Sequence, residues 1–288
     1  MNILYIIFGE KIAYHVQAYL SILTFQKQLE ADDHIFVITT HPEFYNNCGV
    51  KTITVTNETI KEWKGEKDFF WRVKIKAIEY MALHYPNDHL MYLDTDTILY
   101  GSLNTLKTRL NEGCGMMHLN EGHPSKMKTK TLKMWKTIEG HTYGGITLGK
   151  QHDMYNAGVV AIPKEKLAEV SSLALTLCDG MLADDAERIV IEQYSLSIAL
   201  YEKTNLKVAE DLIGHYWGNK PEWEAMAYEL IANSYMKGQT MDETVKSLDV
   251  AQLCKTPVYI YHSNTAMRLR KIVSKLFKDK DHQYLKLG

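Results

Sequence analysis

Short apolar runs alternate with segments of helical spacing along the first hundred residues of the chain. The apolar runs predict strands, whereas apolar residues recurring every three or four positions predict helices. Strands are predicted at 2–8, 34–39, 50–55 and 90–93, and helices at 13–28 and 70–84. This β-α-β-β-α-β order predicts the α/β class, with a mixed, mostly parallel sheet flanked by helices. Ligands of such sheets bind at the carboxyl ends of the strands.

The pattern is interrupted at residues 118–152, which contain five glycines, four histidines and a lysine-rich helical stretch at 126–136. Long loops within a compact domain are usually lids or disordered segments, so we interpret 118–152 as an insertion or lid loop. The alternation then resumes with a predicted strand at 154–163, helices at 164–178 and 184–203, and a short strand at 207–209.

The most informative motif is Asp94-Thr-Asp96, which follows the apolar run of the predicted strand 90–93. Residues two apart in an extended chain point to the same side, so both carboxylates can bind one divalent ion. Two adjacent carboxylates otherwise repel each other, and buried Asp is usually paired or bound to a metal. The motif therefore suggests Mn²⁺ or Mg²⁺ holding a phosphorylated substrate.

Two other interpretations of the same motif stay open. Asp96-Thr97 could cap a turn through local backbone hydrogen bonds. Alternatively, Asp94 could be the nucleophile of a haloacid-dehalogenase-type phosphohydrolase. The phosphohydrolase fits poorly, because its motif follows the first strand of the chain, whereas here two or three predicted strands come first.

Four further segments carry polar groups suited to a nucleotide-sugar. They are Arg72-Val-Lys74, Asn156-Ala-Gly158, Glu192-Gln193 and His215-Tyr-Trp-Gly218-Asn-Lys220-Pro221. Cations can neutralise phosphate, and amides can both donate to and accept from sugar hydroxyls. Taken singly, each also has an ordinary structural role: a solvated helix face, a turn cap, a surface helix residue or a core histidine.

Taken in order, these segments resemble the GT-A glycosyltransferases of the retaining galactosyltransferase and glycogenin type, glycosyltransferase family 8. That family has Arg-x-Lys, Tyr-Leu-Asp-x-Asp, Asn-x-Gly, Asp/Glu-Gln and His-x-x-Gly-x-x-Lys-Pro in this order. Here Tyr92-Leu93-Asp94-Thr95-Asp96 gives the second motif, and the likeness extends over about residues 1–225.

The resemblance implies a GT-A, Rossmann-like fold and a role for each matching residue. Asp94, Asp96 and His215 would bind the metal, which bridges the phosphates of a UDP-sugar. Asn156 and Gln193 would hold the donor sugar, and Lys220 would stabilise the departing UDP. A cation and a lysine at that place are physically reasonable, because negative charge develops on the diphosphate.

Two parts of the resemblance are imperfect or remote. The chain has one residue fewer than the family between Gly218 and Lys220, so Lys220 would reach the phosphates differently or not at all. Tyr14, in the segment after the first strand, resembles the position that stacks on uracil. Arg72 and Lys74 would complete the cofactor-binding set beside the phosphates.

Charge and cysteine content limit which cellular compartments and which binding partners are compatible with the sequence. The net charge is −2, but residues 255–288 hold eight Lys or Arg against two Asp or Glu, or +6, which leaves −8 for 1–254. Four widely spaced cysteines argue against a disulfide framework or zinc knuckle and favour a reducing cytoplasm. The sequence has no uninterrupted apolar stretch long enough to span a bilayer.

The basic excess lies in a segment with helical spacing. Its apolar residues are Leu269, Ile272, Val273, Leu276 and Phe277. This pattern predicts a C-terminal basic amphipathic helix, which either docks on the protein or binds an anionic membrane through residues 265–280. We therefore divide the chain into a GT-A domain at 1–254 and a strand and helix at 255–288.

The sequence thus predicts a metal-dependent hexosyltransferase that uses a UDP-sugar, acts with retention on a glycan or lipid-linked glycan, and binds no nucleic acid. It would be cytoplasmic, with a peripheral position on the inner face of the membrane as the variant that the basic helix suggests. The alternatives are a haloacid-dehalogenase-type phosphohydrolase and a non-catalytic protein that binds sugar-nucleotide or glycan.

Overall fold

The structure, a computed structural model, describes residues 1–127, 129–258, 269 and 283–287. Its strands are β1 Asn2–Ile7, β2 His34–Thr39, β3 Lys51–Thr54, β4 Leu90–Leu93, β5 Thr97–Leu99, β6 Met116–Met117, β7 Asn120–Gly122, β8 Thr142–Tyr143, β9 Ile146–Thr147, β10 Met154–Tyr155, β11 Val159–Ile162, β12 Lys207–Val208 and β13 Ile213–His215. Its α-helices are α1 Ile12–Gln26, α2 Asn57–Trp63, α3 Arg72–His84, α4 Leu103–Asn111, α5 Lys130–Ile138, α6 Leu167–Ala183, α7 Ile191–Lys203, α8 Lys220–Met236, α9 Met241–Ser247 and α10 Val250–Leu253.

The chain divides into two compact units. The first, which we call the sheet unit, comprises Met1–Glu10, Glu30–Asp94 and Asn104–Glu210. The second, which we call the helical unit, comprises Lys11–Leu29, Thr95–Leu103 and the described residues from Asp211 onward. The boundary falls between Asp94 and Thr95, so the Asp-x-Asp motif contributes one carboxylate to each unit.

The sheet unit is built around a seven-stranded sheet in the order β12-β6-β11-β4-β1-β2-β3. The strands β1, β2, β3 and β4 run parallel to one another, and β11 runs antiparallel to both β4 and β6. The core strands are apolar on both faces, as expected for a sheet covered by helices on each side. Large side chains such as Phe36, Trp135 and Tyr194 are buried in this core.

The helical unit has its own core. Helix α1 contributes Leu20 and Leu23, which pack with Trp223 of α8 and with Leu248 and Leu253. Strand β5 pairs antiparallel with β13 in this unit. The ring of Tyr216 stacks on Trp223, with the centroids 4.6 Å apart.

The sequence predictions for the sheet are confirmed in class and in most elements. The predicted strand 154–163 is in fact two strands, β10 and β11, separated by Asn156-Ala157-Gly158. The Asn156 side-chain oxygen accepts from the Gly158 backbone N–H at 3.0 Å, a local turn that interrupts the extended chain. This turn is the reason that one apolar run yields two strands.

Outside the 118–152 segment, the elements that were not predicted are α2, β5, α4, β6, β13 and the helices α8 to α10. The segment 118–152, predicted to be an insertion or lid loop, contains β7, α5 and the β8–β9 hairpin. Met134 and Trp135 of α5 are buried, so α5 packs on the core. A lid function for the rest of the 118–152 segment, outside α5, stays a prediction.

The predicted amphipathic helix, apart from residue 269, and most of the 255–288 segment lie outside the described residues. The division of the chain into 1–254 and 255–288 therefore stays a prediction. Val258 forms one isolated antiparallel bridge with Gln283. Within the described part of the chain, no helix is both long and apolar enough to cross a bilayer. The four cysteines are free and buried, as predicted.

Candidate active site around the Asp-x-Asp motif

Asp94 lies at the carboxyl end of β4, where ligands of parallel sheets bind. Because β11 runs antiparallel to β4, its amino end lies beside this position, with Val159 opposite Leu93. The Asp94 N–H donates to the Gly158 carbonyl at 2.8 Å. The fold therefore brings two of the predicted motifs together, although they lie about sixty residues apart in the sequence.

A buried lysine holds the first carboxylate of the motif. Lys74, in the first turn of α3, places its Nζ 3.3 Å from the Asp94 Oδ1 and donates to the Ala157 carbonyl at 3.2 Å. The Tyr92 hydroxyl also donates to Asp94 Oδ1, and the Lys74 Nζ lies 4.9 Å from the centroid of that ring. The Asp94 side chain keeps 32% of its surface exposed. It is oriented by these groups and still open to a ligand.

Glu192, at the start of α7, is a second carboxylate near the same lysine. Its Oε1 lies 4.0 Å from the Lys74 Nζ, and its Oε2 has no hydrogen-bond partner among the described residues. Burial raises the pKa of Glu192 to about 7, and the nearby Lys74 only partly offsets this. A substantial fraction of Glu192 is therefore protonated near neutral pH.

The two amides predicted to hold the donor sugar are joined by a carboxylate that the sequence did not reveal. Gln193 donates to Glu121 at 2.9 Å, and Asn156 donates to the other oxygen of Glu121 at 3.0 Å. Gln193 also accepts from the Ala157 N–H at 3.2 Å. Glu121 lies in β7, within the predicted lid loop, and no motif marked it. The amide side chains are thus fixed before any ligand arrives.

Asp96 has a different environment, within the helical unit. Its carboxylate lies 3.2 Å from the His215 Nε2 and 2.7 Å from the Lys220 Nζ. Only 4% of its side chain is exposed. Burial by itself would raise the pKa of Asp96, but the opposing influence of His215 and Lys220 is greater and holds it well below its usual range.

The sequence explains why these three side chains meet. Strands β5 and β13 pair with His215 opposite Thr97, and the Tyr216 N–H donates to the Asp96 carbonyl at 3.0 Å. A Cβ at Gly214 would lie 2.5 Å from a Leu285 methyl group and 3.3 Å from Ile98, so a larger residue there would require the Leu285 side chain to move. Helix α8 then begins at Lys220, followed by a proline suited to a first helical turn.

The predicted metal ligands form a set that could hold an ion. Asp94, Asp96 and His215 each offer one ligand atom, and these atoms lie within 4.8 Å of one another. Two carboxylates and an imidazole suit Mn²⁺ well, whereas Mg²⁺ prefers oxygen ligands alone. This donor set fits the metal that the sequence predicted.

Two other predicted site residues have partners elsewhere. Arg72 forms a bidentate pair with Asp179, at 2.6 and 2.9 Å, and donates to the Trp63 carbonyl. Tyr14 is exposed on α1, and the Lys11 Nζ lies 4.4 Å from its ring centroid. The predicted contacts of Arg72 with phosphate and of Tyr14 with uracil stay predictions.

A cleft of about 650 Å³ lies at the carboxyl ends of β1, β2 and β3 in the sheet unit. It is lined by Phe8, Gly9, Glu10, Thr40, His41, Val55, Thr56, Asn57 and Glu58. Gly9 has a φ of 77°, which favours glycine, and its N–H donates to the Thr40 hydroxyl at 3.2 Å. This bond fixes the turn after β1 against the turn after β2.

The chain is similar to solved glycosyltransferase structures. It matches an active-site mutant of LgtC at 13% identity, over 81% of this chain and 96% of that chain, with a TM-score of 0.52. It also matches galactosyltransferase LgtC in complex with donor and acceptor sugar analogs, at 12% identity over 80% and 96%, with a TM-score of 0.50. Neither a protein-family model nor a curated protein matches the sequence. At these identities the likeness shows the fold, and the predicted GT-A fold is confirmed.

Proposed function

We propose that this protein is a metal-dependent glycosyltransferase that moves a hexose from a UDP-sugar to a glycan or lipid-linked glycan acceptor, with retention. The observation that carries the proposal is the set of Asp94, Asp96 and His215 ligand atoms, which follows β4 of a GT-A fold. A divalent cation at such a place would stabilise the negative charge that develops on a departing nucleoside diphosphate. The solved galactosyltransferase with donor and acceptor analogs has the same fold and supports the sugar-transfer assignment.

The two carboxylates and the imidazole would hold Mn²⁺, or Mg²⁺ with added water ligands. When bound, the ion supplies Lewis-acid stabilisation of the negative charge on the leaving diphosphate. The cleft at the ends of β1 to β3 is the space we assign to the nucleoside. Its polar rim of Thr40, His41 and Asn57 offers hydrogen-bonding groups for a base and a ribose.

The side chains act on the donor by position and charge. Asn156 and Gln193 hold the hydroxyls of the transferred sugar, and Lys220 places an ammonium group where the diphosphate departs. During transfer, the bond between the anomeric carbon and the diphosphate oxygen breaks, and a bond to the acceptor hydroxyl forms. The proton of that hydroxyl leaves to the departing diphosphate or to water, so charge is conserved.

Lys220 has a specific part in this proposal. Its ammonium lies on the buried Asp96, and 38% of the lysine side chain is exposed. Because Asp96 is buried, a turn of the lysine from this carboxylate to a phosphate would leave Asp96 dependent on His215 and the metal for its pairing. Although the Gly218–Lys220 spacing is one residue shorter than in the family, Lys220 lies beside Asp96, one of the proposed metal ligands.

Two experiments test the proposal. UDP should raise the melting temperature only when Mn²⁺ or Mg²⁺ is present, since a ligand of the folded state stabilises it by mass action. Incubation with UDP-galactose, UDP-glucose and UDP-N-acetylglucosamine should release UDP from at least one donor, and EDTA should stop the release. A UDP shift that is equal in EDTA would contradict the proposed metal site.

These two experiments and a trapping experiment separate the alternatives. Metal-dependent UDP binding without release of UDP from any donor would favour the non-catalytic binding protein. Trapping of phosphate or beryllofluoride on Asp94 would favour the phosphohydrolase, which the GT-A fold does not support. The acceptor can be either a free or a lipid-linked glycan under this proposal, and the basic segment 265–280 is a further proposed contact with anionic lipid.

A further inference from the structure

We propose that Phe70 and Trp71 form an aromatic platform that stacks on a pyranose ring of the acceptor glycan. This inference rests on the proposed function and names an acceptor-binding site for it. The two rings are 46% and 49% exposed, and their centroids lie 5.4 Å apart at an interplanar angle of 78°. Two adjacent exposed aromatic side chains leave a large apolar surface in water, which is characteristic of binding sites.

The platform lies one helical turn from the Asp94 environment. Trp71 has helical backbone angles, and the Lys74 N–H donates to its carbonyl at 3.1 Å. Residues three apart lie on the same face of a helix, and the Lys74 side chain extends to within 3.3 Å of Asp94. Trp71, the N-cap of α3, is therefore expected on the side of the helix that carries Lys74. An acceptor ring on Trp71 would be next to the transferred sugar.

The backbone under the two rings is held firmly. The Arg72 N–H donates to the carbonyl of the buried Phe69, and the Val73 N–H donates to the Phe70 carbonyl. The bidentate pair between Arg72 and Asp179 holds the start of α3 against α6. A platform that is rigid before binding loses little conformational entropy when a sugar stacks on it. This gives Arg72 a positioning role that does not involve phosphate.

A neighbouring loop adds to the surface and restricts the kind of partner. Arg188 donates to the Lys67 carbonyl at 2.7 Å, and Lys67 pairs with Asp185, so the 184–190 segment lies against the 64–71 segment. Ile189 of this segment is also exposed. Segments 62–72 and 179–189 together contain seven carboxylates and four basic residues. An acidic surround disfavours phosphates and anionic lipid and is compatible with a neutral, hydroxyl-rich ligand.

The test measures glycan binding directly. Saturation-transfer NMR with neutral oligosaccharides, lactose, maltose and cellobiose among them, is applied to the full chain with UDP and the diamagnetic Mg²⁺ present. We expect at least one of them to bind the unaltered protein and Trp71→Ala to weaken that binding by about tenfold or more. Trp71→Phe should retain most of it, because an aromatic face remains. Phe44→Ala, which removes another exposed aromatic ring of the sheet unit, is the matched control and should bind as the unaltered protein does.

Each outcome of these measurements supports or rejects either the aromatic platform or the proposed function. If no oligosaccharide binds, or if Trp71→Ala binds as strongly as Phe44→Ala, the platform does not exist. If the unaltered protein binds vesicles of anionic phospholipid through Trp71 and binds no oligosaccharide, the surface is a lipid contact and the inference is wrong. Failure of the UDP and Mn²⁺ melting shift would instead reject the proposed function. A normal UDP shift with unchanged glycan binding in Trp71→Ala rejects the platform alone.

Discussion

The two carboxylates of the Asp-x-Asp motif are two residues apart and have opposite environments. Asp94, in the sheet unit, keeps about a third of its side chain exposed and is held by Lys74 and the hydroxyl of Tyr92. Asp96, in the helical unit, is almost fully buried between His215 and Lys220. The first carboxylate is accessible and oriented, whereas the second is a structural charge as well as a candidate metal ligand.

The difference shows that a motif of two identical residues need not have two equivalent functions. Removing a buried charge leaves its partners unpaired in a poorly solvated place, which costs far more than removing an exposed one. We therefore expect substitutions at Asp96 to alter folding and ligand binding together. Substitutions at Asp94 should alter ligand binding with a smaller effect on folding.

The largest expected effect belongs to Asp96→Asn. It leaves His215 and Lys220 without their carboxylate, and we expect the free energy of unfolding to fall by about 3 kcal/mol, since Lys220 is partly solvated. Donor turnover should fall by about 1000-fold or more, as a metal ligand is lost. Urea unfolding and UDP release measure the two effects.

Asp94→Asn is the matched control for this comparison. It should remove metal-dependent UDP binding while lowering the free energy of unfolding by only about 1 kcal/mol, because the Asp94 side chain is partly exposed and the buried Lys74 keeps Glu192 and the Ala157 carbonyl as partners. Equal destabilisation by the two substitutions would show that burial does not distinguish the two carboxylates. Intact metal-dependent UDP binding in Asp96→Asn would remove this residue from the metal site.

The second prediction concerns Glu192, whose carboxyl group has its pKa raised to about 7 by burial. The unfolded chain releases this proton near pH 4.3, so the native protein binds more protons between the two values. The free energy of unfolding must then fall as the pH rises through that interval. Glu192→Gln removes the titration, and its stability relative to the unaltered protein should rise by up to about 3 kcal/mol from about pH 5 to about pH 8.

Denaturant unfolding of both proteins over that pH range measures the difference. Glu187→Gln, which removes a carboxylate five residues before Glu192, is the control for the loss of one acidic residue. A pH-independent difference between Glu192→Gln and the unaltered protein would mean that Glu192 ionises at its ordinary pKa. In that case, Glu192 would be charged near neutral pH.

The sequence predicted the sheet because its strands are continuous apolar runs, and it placed Asp94 correctly at the end of β4. It could also group Asn156 with Gln193, since family resemblance put both at the donor sugar. It could not reveal Glu121, which joins these amides, because a lone glutamate in a glycine-rich segment has no distinctive spacing. Long-range hydrogen bonds of this kind depend on the tertiary fold alone.

Side-chain direction was the other limit of sequence reasoning. Arg72 and Lys74 are two residues apart on one helix, so their side chains point to different faces. The structure places Lys74 beside Asp94 and Arg72 beside Asp179. The short strand β5 was not predicted, because its three residues, Thr97–Leu99, are too few to show a periodicity.

The third prediction concerns the fixed amides of the sheet unit. Asn156→Ala or Gln193→Ala should lower the rate of sugar transfer by about 10- to 100-fold while UDP affinity changes little. Glu121→Gln should have a smaller effect of the same kind, because it loosens both amides and leaves them in place. Steady-state transfer rates and UDP titrations separate these effects, and equal losses of UDP binding would show that the amides contact the nucleotide.

The smallest effect is expected for Arg72, the cation of the Arg-x-Lys motif that pairs with Asp179 and not with Asp94. Arg72→Lys removes the bidentate geometry with Asp179, whose side chain is half exposed, and should lower the free energy of unfolding by about 0.5–1 kcal/mol. Asp179→Asn should destabilise by a similar amount, because it removes the other half of the same pair. If Arg72 only positions the start of α3, both variants should retain the UDP affinity of the unaltered protein. A loss of UDP affinity in Arg72→Lys that Asp179→Asn does not share would instead support the predicted contact of Arg72 with phosphate. In that case both cations of the Arg-x-Lys motif, Arg72 and Lys74, would lie beside the ligand bound at Asp94.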